Sequence, residues 1–281
     1  MSSGFLVPGA IGPVALAGGG LADPVPVAGA ELIVNGDFSS ATGWVPGGAA
    51  LPTIGGGVGS FGGAAGYGYL SQYSIASGYQ WVQIQFEIVS YVAGSIRPWA
   101  SSSNAPGNFV SATGIHFQSI RSVSDGSLAI QGFNANATVD NVTANFLTLS
   151  SLISTRAYAP ADCDISAAVT RTAGTQAGLV ARLDSAASPA NFIIAYLDGG
   201  GNVKVDKCVA GTYTNVISGA VTYVVGRVLR LVCSGNDVSC YYHGSQVGST
   251  VTVSDAGIVS NTRHGKFSTY ASNMLAGYVA V

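Results

Sequence analysis

Alternating apolar and polar residues are the main pattern of the chain from about residue 31 onward. In the stretch WVQIQFEI, residues 81–88, every second side chain is apolar and the residues between are mostly polar. Successive side chains of a strand point to opposite faces, so this alternation predicts a strand with one face in a core. GIHFQSI, GSLAIQGF and ATVDNVTANFL repeat the pattern, separated by turn residues. No helical period is convincing before about Leu147, so this half is predicted to be all strands and turns.

A second series of strands follows the stretch LSSLISTRAYAPADC, which we take as a domain boundary. The segments AGLVARL, NFIIAYLD, NVKVDKCV, VLRLVCS and VSCYYHG are joined in part by GGGN at 199–202 and SGND at 234–237, which predict hairpin turns. The chain ends on MLAGYVAV, another predicted strand. Short strands with glycine-rich turns and no helices predict an all-β fold of two antiparallel β-sandwich (jelly-roll) domains, at 31–148 and 155–281.

The first 30 residues differ from the rest because they show neither a strand period nor a helical one. They are rich in Gly, Ala, Pro, Val and Leu, and we expect an extended docking arm that becomes ordered on a partner. The segment lacks a basic n-region, and Pro8 and Pro13 interrupt its apolar stretch, so no signal peptide is expected.

Charged residues are scarce, at 9% of the chain against about a quarter in typical soluble domains. The net charge of -2 provides no basic stripe, so nucleic acid is not an expected partner. The mean hydropathy is +0.40, yet no window approaches about 18 uninterrupted apolar residues, so no membrane span is expected. So neutral a surface suggests burial against other subunits in a homo-oligomer. The alternative is a β protein covered by neutral Gly, Ser and Thr.

Two stretches of the chain resemble known families. LIVNGDFSSATGW, SQYSIASGYQWVQIQFEI and ATVDNVTANFL, within about 32–147, resemble carbohydrate-binding modules with a galactose-binding-like jelly roll. AGLVARLDSAASPANFIIAYLDGGGNVKV and GRVLRLVCSGNDVSCYYHGSQVGS look like a laminin-G or concanavalin A-like lectin module. Such tandem modules behind a glycine-rich arm are similar to bacteriophage virion proteins. This resemblance implies a non-enzymatic structural protein of the tail, fibre or head surface, assembled in the host cytoplasm. Its arm would bind other virion proteins, and its modules would contact host glycans.

Sugar binding needs an aromatic face for stacking and amides or carboxylates for hydrogen bonds to hydroxyl groups. The row of residues opposite the apolar face of WVQIQFEI offers this mixture, and Tyr67, Tyr69 and Tyr73 lie nearby in sequence. We therefore predict a glycan platform made of Trp81, Gln83, Gln85, Glu87, Tyr79 and Trp99. The alternative is that Trp81 and the tyrosines cover the sheet or pack on the neighbouring domain.

Few residues of the chain are candidates for metal or thiol chemistry. By the resemblance to carbohydrate-binding modules, Asp37 and Asp140 fall where those modules can hold a structural calcium ion, whereas Asp37 as a simple turn residue is the competing interpretation. No other cofactor is expected. The four cysteines lack zinc-site spacing. Cys233 and Cys240 flank a predicted hairpin on one face, where they would form either a disulfide or two buried thiols.

Enzymatic chemistry is not expected. The concanavalin-like glucanases that the second half resembles use a pair of glutamates, but Glu31 and Glu87 are the only glutamates of this chain. Two other functions stay open. One is a secreted or cell-surface carbohydrate-binding protein, and the other is a polysaccharide depolymerase that would need a pair of aspartates.

Overall fold

A computed structural model describes residues 20–73, 78–100, 106–122, 126–158 and 160–281. Within these ranges almost all regular structure is β, in three antiparallel sheets, which confirms the all-β fold class predicted from the sequence. Residues 1–19 of the expected docking arm lie outside the described residues.

The first sheet forms what we call the first module. Its strands are β1 (Ala28–Glu31), β2 (Val45–Gly48), β3 (Thr53–Gly55), β4 (Val58–Gly62), β5 (Tyr67–Gln72), β6 (Trp81–Ala100), β7 (Gly114–Arg121) and β8 (Leu128–Leu147). Strands β6 and β8 are each 20 residues long and pair with one another along their length. The segments GSLAIQGF and ATVDNVTANFL, predicted as separate strands, are therefore parts of one strand.

The paired strands β6 and β8 contribute to one core from both of their halves. Their pairing shifts register at several points between Gln85 and Ser95, and such irregularities bend and twist a strand pair. Strand β7 pairs with the first half of β6, and β5 pairs with residues 128–133 of β8. Side chains from both halves, including Ile84 and Ile130, belong to one buried cluster. The module therefore closes around its own core.

The start of the first module is a compact turn built by the sequence NGDFSSATGW. Asn35 and Phe38 both have positive φ, and the Trp44 indole Nε1 donates a hydrogen bond to the Asn35 carbonyl oxygen at 2.8 Å. The Phe38 and Trp44 rings stack with their centroids 4.8 Å apart, and both are buried. This turn anchors the entry of the chain into the core.

The second module contains the other two sheets. A 3₁₀ helix (Leu149–Leu152) leads into β9 (Ile153–Ala157), β10 (Cys163–Thr170), β11 (Ala177–Leu183), β12 (Phe192–Leu197), β13 (Asn202–Val209), β14 (Thr212–Ala220), β15 (Arg227–Ser234), β16 (Asp237–Tyr242), β17 (Ser245–Thr252), α1 (Ala256–Val259), β18 (Arg263–Ser268) and β19 (Met274–Ala280). The sheet orders are β14-β13-β12-β11-β18-β9 and β17-β16-β15-β10-β19. The hairpins predicted at 199–202 and 234–237 join β12 to β13 and β15 to β16, as expected.

The central strands of the six-stranded sheet of the second module are buried on both faces. One face packs on the five-stranded sheet, and the other packs on Trp81 and Leu147 of the first module and on the 3₁₀ helix that follows it. Every residue of β11 and β12 is buried, so these strands show no inside–outside alternation. The sequence of a strand that is covered on both faces is typically a continuous apolar run.

A buried ion pair joins the two modules beside this shared core. The Arg121 guanidinium of β7 donates to the Asp206 carboxylate of β13 at 2.6 Å, and both side chains are almost fully buried. The same carboxylate accepts hydrogen bonds from the Tyr196 hydroxyl and the Asn215 amide, each at 2.8 Å. Because both carboxylate oxygens accept hydrogen bonds, the charge pair is accommodated in an apolar surrounding.

The described end of the expected docking arm is bound to this chain. The Asp23 carboxylate accepts hydrogen bonds from the Lys266 ammonium group at 2.9 Å and from the Leu275 N–H at 3.2 Å. Residue Val27 exchanges hydrogen bonds with the chain at Thr148 and Ser151, and β1 pairs with β8. Residues 20–30 are therefore held across both modules rather than extended away from them, because the chain itself supplies their hydrogen-bond partners.

All four cysteines are free and buried. Cys233 lies opposite Cys163 across β10 and β15, while Cys240 lies opposite Leu231, so the pair suggested by the hairpin is not a disulfide in this structure. Burial raises the pKa of the Cys240 thiol to about 12. Both residues belong to the apolar core of the second module.

In the described part of the chain, neither the length nor the apolar character of any helix suffices to cross a membrane.

Candidate functional site

The structure separates the residues that the sequence placed in one glycan platform. Trp81 is only 2% exposed and packs against Tyr196 and Phe267, with ring centroids 5.7 Å and 5.3 Å away. Tyr79 lies beside Tyr213 of the second module at a centroid distance of 6.2 Å. Trp81 is therefore not a ligand contact, and its position matches the competing interpretation that it packs on the neighbouring domain. The sequence could not show that the second module covers this end of β6.

Gln85 and Glu87 lie further along β6, away from Trp81, and line a cavity of about 510 Å³. The predicted calcium residue Asp37 also lines it, and the Glu87 carboxylate accepts a hydrogen bond from the Asn141 amide at 2.8 Å. Gln83, two residues before Gln85 on β6, is half-buried and pairs with Ser119 of β7. These three polar residues are thus well apart from Trp99, which lies near the other end of β6.

The two predicted calcium ligands make local contacts in this structure. The Asp37 carboxylate accepts hydrogen bonds from the Ser39 N–H and hydroxyl, and these bonds lower the pKa of Asp37. The Asp140 carboxylate accepts the N–H of Asn141. Among the described residues, no group of three or more His, Cys, Asp or Glu side chains is arranged to hold a metal ion. Asp37 has the geometry of a turn residue.

Trp99, in contrast, belongs to a group of aromatic side chains on the outer side of β5, β8 and β6. The strand register places Tyr67 beside Phe133, Tyr69 beside Gln131, and Gln131 beside Arg97. Trp99 lies one row further along the same face of β6. The opposite face of these strands carries Leu70, Ile130 and Ile96, which are in the core. We call the outward rings the aromatic face; its members are Tyr67, Tyr69, Trp99, Phe133 and Phe109.

The rings of the aromatic face contact one another and remain accessible. Tyr67 and Phe133 lie 4.7 Å apart, Tyr69 and Trp99 lie 5.4 Å apart, and Phe109 lies 6.3 Å from Phe133. The exposed fractions of Tyr67, Phe109 and Phe133 are 40%, 39% and 37%. Large aromatic side chains usually bury more of their area than this, so the face is a candidate binding surface.

Polar groups are interleaved with these rings. The Arg97 Nε donates a hydrogen bond to the Gln131 side-chain oxygen at 2.6 Å, and the Arg97 guanidinium lies 4.2 Å from the centre of the Phe109 ring. Burial lowers the pKa of Arg97, while the neighbouring Tyr67 and Tyr69 act in the opposite direction. The surface therefore combines flat apolar rings, an amide and a cation.

The aromatic face continues into a cleft between the two modules, which we call the inter-module cleft. It has a volume of about 490 Å³, and its walls include Arg97, Asn108 and Phe109 of the first module and Asp198 and Lys204 of the second. The wall at Asn108 is firmly held, because its backbone exchanges two hydrogen bonds with the Gln118 amide, at 2.6 Å and 2.8 Å. Its side chain donates to the Gly199 carbonyl oxygen at 2.6 Å.

Sequence reasoning included Trp99 in the platform and noted Tyr67 and Tyr69 as neighbours, but it missed Phe133, Phe109, Gln131 and Arg97. The alternation in YGYLSQ was a usable signal that Tyr67 and Tyr69 share a face. The partnership with Phe133 depends on the β5–β8 register, which a single sequence does not contain.

Comparison with known proteins finds similar solved structures but assigns the chain to no family. No family model matches the chain, and no curated protein matches it. Similar solved structures include carbohydrate-binding module CBM66 from Bacillus subtilis, at 19% identity and a TM-score of 0.34, over 49% of this chain and 76% of that chain. Sheep galectin-11 in complex with glycerol has 7% identity and a TM-score of 0.37, over 46% of this chain and 96% of that chain.

A third similar structure is the kappa-carrageenase of Pseudoalteromonas carrageenovora, solved with an oligotetrasaccharide of kappa-carrageenan. It has 10% identity and a TM-score of 0.31, over 95% of this chain and 87% of that chain. Nothing in these comparisons points to a bacteriophage virion protein.

Proposed function

We propose that the chain is a non-enzymatic carbohydrate-binding protein whose glycan site is the aromatic face of the first module. The observation that carries this proposal is the register that sets partly exposed rings of Tyr67 and Phe133 beside the Gln131 and Arg97 side chains. Sugar rings present C–H faces that stack on aromatic rings, and their hydroxyl groups need amide or charged partners. Both requirements are met on a single surface.

At the aromatic face and the adjoining inter-module cleft, the arrangement of the carboxylates supports a binding role over hydrolysis. Each carboxylate in the described ranges already accepts a hydrogen bond or ion pair from this chain. Glycoside hydrolysis needs two carboxyl groups that flank one bond and are free to act as acid and as base or nucleophile. Of the described carboxylates, only Asp198 lines the inter-module cleft, and it is held by backbone amides.

The glycan site is tested by removing rings that are already exposed, so that the fold is preserved. We expect the double variant Tyr67→Ala/Phe133→Ala to lose about tenfold or more in affinity for an immobilised polysaccharide, since each ring removes stacking area. The matched control is Tyr73→Ala, a tyrosine that is 62% exposed and lies outside the aromatic face. Affinity electrophoresis against a panel of polysaccharides measures both. If the polysaccharide slowed the double variant and the control equally in the gel, the proposal would be overturned.

We also propose that the protein works as a repeated component of a larger assembly, with the surface of a bacteriophage particle as the setting. Support comes from the 9% of charged residues and from exposed apolar side chains on the outer face of the five-stranded sheet. Met274 and Val279 of the edge strand β19 are exposed, as is Val228 of β15. Many weak glycan contacts would then be multiplied by copy number.

The assembly role is tested by the size of the full chain in solution and by its copies on particles. We expect an oligomer by light scattering, and we expect Met274→Asp/Val279→Lys to shift it toward monomer. Val89→Lys, at an exposed valine of the first module, is the control. A wild-type monomer that is absent from purified particles would contradict the assembly role and favour a free lectin.

A further inference from the structure

The inter-module cleft holds one charge for which the described part of the chain supplies no ionic partner. Arg97 and Lys204 are its cationic side chains, and Asp198 is its carboxylate. The Asp198 carboxylate accepts hydrogen bonds from the Gly200 N–H at 2.8 Å and from the Asn202 N–H at 3.0 Å, and it lies 3.3 Å from the Lys204 ammonium. The Asp198 charge is therefore already compensated within its own hairpin, by backbone N–H groups and by Lys204 of β13.

The positive charge of Arg97, in contrast, has only neutral partners among the described residues. Across the described ranges no carboxylate forms an ion pair with it, and its partners there are the neutral Gln131 amide and the Phe109 ring. The side chain is partly buried, and a guanidinium keeps its charge throughout the working pH range. A partly desolvated cation gains most from an anionic ligand, and its planar fork matches carboxylate and sulfate oxygens.

The position of Arg97 connects this charge to the proposed sugar surface. Its guanidinium lies over the Phe109 ring, and Phe109 is in turn a neighbour of Phe133 on the aromatic face. One sugar ring stacked on the aromatic face would thus leave an acidic substituent within the adjoining cleft. The cleft volume of about 490 Å³ lies within the usual range for small-ligand sites, roughly 300–1,000 Å³.

We infer that the glycan bound by this protein is anionic, a polysaccharide carrying carboxylate or sulfate groups, and that Arg97 in the inter-module cleft binds its charged substituent. This inference rests on the proposed glycan function and adds the class of sugar. The aromatic face supplies stacking for any sugar ring. Arg97 supplies the preference for the acidic one.

The test uses the full chain and matched pairs of polymers that share a backbone. One pair is polygalacturonate and its fully methyl-esterified form; the other is a sulfated galactan and its desulfated form. We expect the wild-type protein to bind one acidic polymer at least tenfold more tightly than its neutral partner, with the preference falling as salt is added. A preference within the polygalacturonate pair would identify a carboxylate as the bound group, and a preference within the galactan pair would identify a sulfate.

The variant Arg97→Gln is expected to bind that acidic polymer no better than the neutral one, because glutamine keeps a hydrogen-bonding amide but removes the charge. Arg230→Gln, which removes an exposed arginine of the second module, is the control. The salt dependence of the wild-type protein tests the charge even if Arg97→Gln does not fold. Equal binding of acidic and neutral polymers overturns this inference alone, as does a preference that persists in Arg97→Gln. Failure to bind any polymer overturns the proposed function as well.

Discussion

At the scale of single residues, the charged groups of this chain are few, but their contacts differ greatly in burial. Arg121 and Asp206 form a buried pair between the modules, whereas Arg230 and Asp164 form a pair on the exposed face of the five-stranded sheet. The two pairs have similar chemistry and short distances. Their energetic consequences differ because burial removes the water that would otherwise solvate an unpaired charge.

Replacing Asp206 with Asn is predicted to lower the free energy of unfolding by about 3–5 kcal/mol, since it leaves the Arg121 charge buried without a carboxylate. The exposed counterpart, Asp164→Asn, is predicted to cost about 1 kcal/mol or less. Urea unfolding monitored by fluorescence measures both variants under the same conditions. Similar losses in the two would contradict the assignment of Asp206 as the buried partner.

At the scale of elements, the strands of the first module follow from local alternation, whereas the central strands of the second do not. In β6, Val82, Ile84 and Phe86 are buried, as the alternation of WVQIQFEI predicts. In β11 and β12 every side chain is buried, because a sheet covers one face and the first module covers the other. Their strand type was readable from the sequence, but their second buried face was not.

Gly178 in β11 is a position where this burial on both faces leaves no room for a larger side chain. The register places it between Tyr196 and Phe267, the two rings on which Trp81 packs. A Cβ at Gly178 would lie 1.9 Å from the Ala195 carbonyl oxygen.

We therefore predict that Gly178→Ala destabilises the protein by about 1–3 kcal/mol, as expected for overpacking of a filled core. Gly47→Ala is the matched control, because Gly47 lies in the edge strand β2 and its added Cβ would have no neighbour within 4 Å. Thermal unfolding distinguishes them. An unchanged midpoint for Gly178→Ala would show that the strands move apart without cost.

At the scale of the whole molecule, the two modules are joined by a core rather than by a flexible linker. Trp81, Leu147 and Leu152 fill the outer face of the six-stranded sheet. Part of the neutral surface that suggested burial against other subunits is thus buried within the chain itself. Domains that share a hydrophobic core of this kind are expected to unfold together.

The wild-type protein is accordingly predicted to unfold in one calorimetric transition, and Trp81→Ala to lower its stability by about 3–5 kcal/mol. Hydrogen exchange should show reduced protection in both β7 and β13, on the two sides of the shared core. Tyr73→Ala, at an exposed position, should leave the transition unchanged. Two separate transitions in the wild-type protein would rule out the shared core as the main link.

The sequence by itself determined the all-β fold class and the hairpins at 199–202 and 234–237, because these depend on side-chain alternation and on residues that accept tight-turn backbone angles. It also identified Trp99 as a candidate ligand contact. Only the tertiary structure decided that Trp81 is buried, that residues 20–30 lie on this chain, and that Arg97 and Phe133 join the aromatic face. These outcomes depend on strand register and on the docking of one module against the other, and both are contacts between residues far apart in the chain.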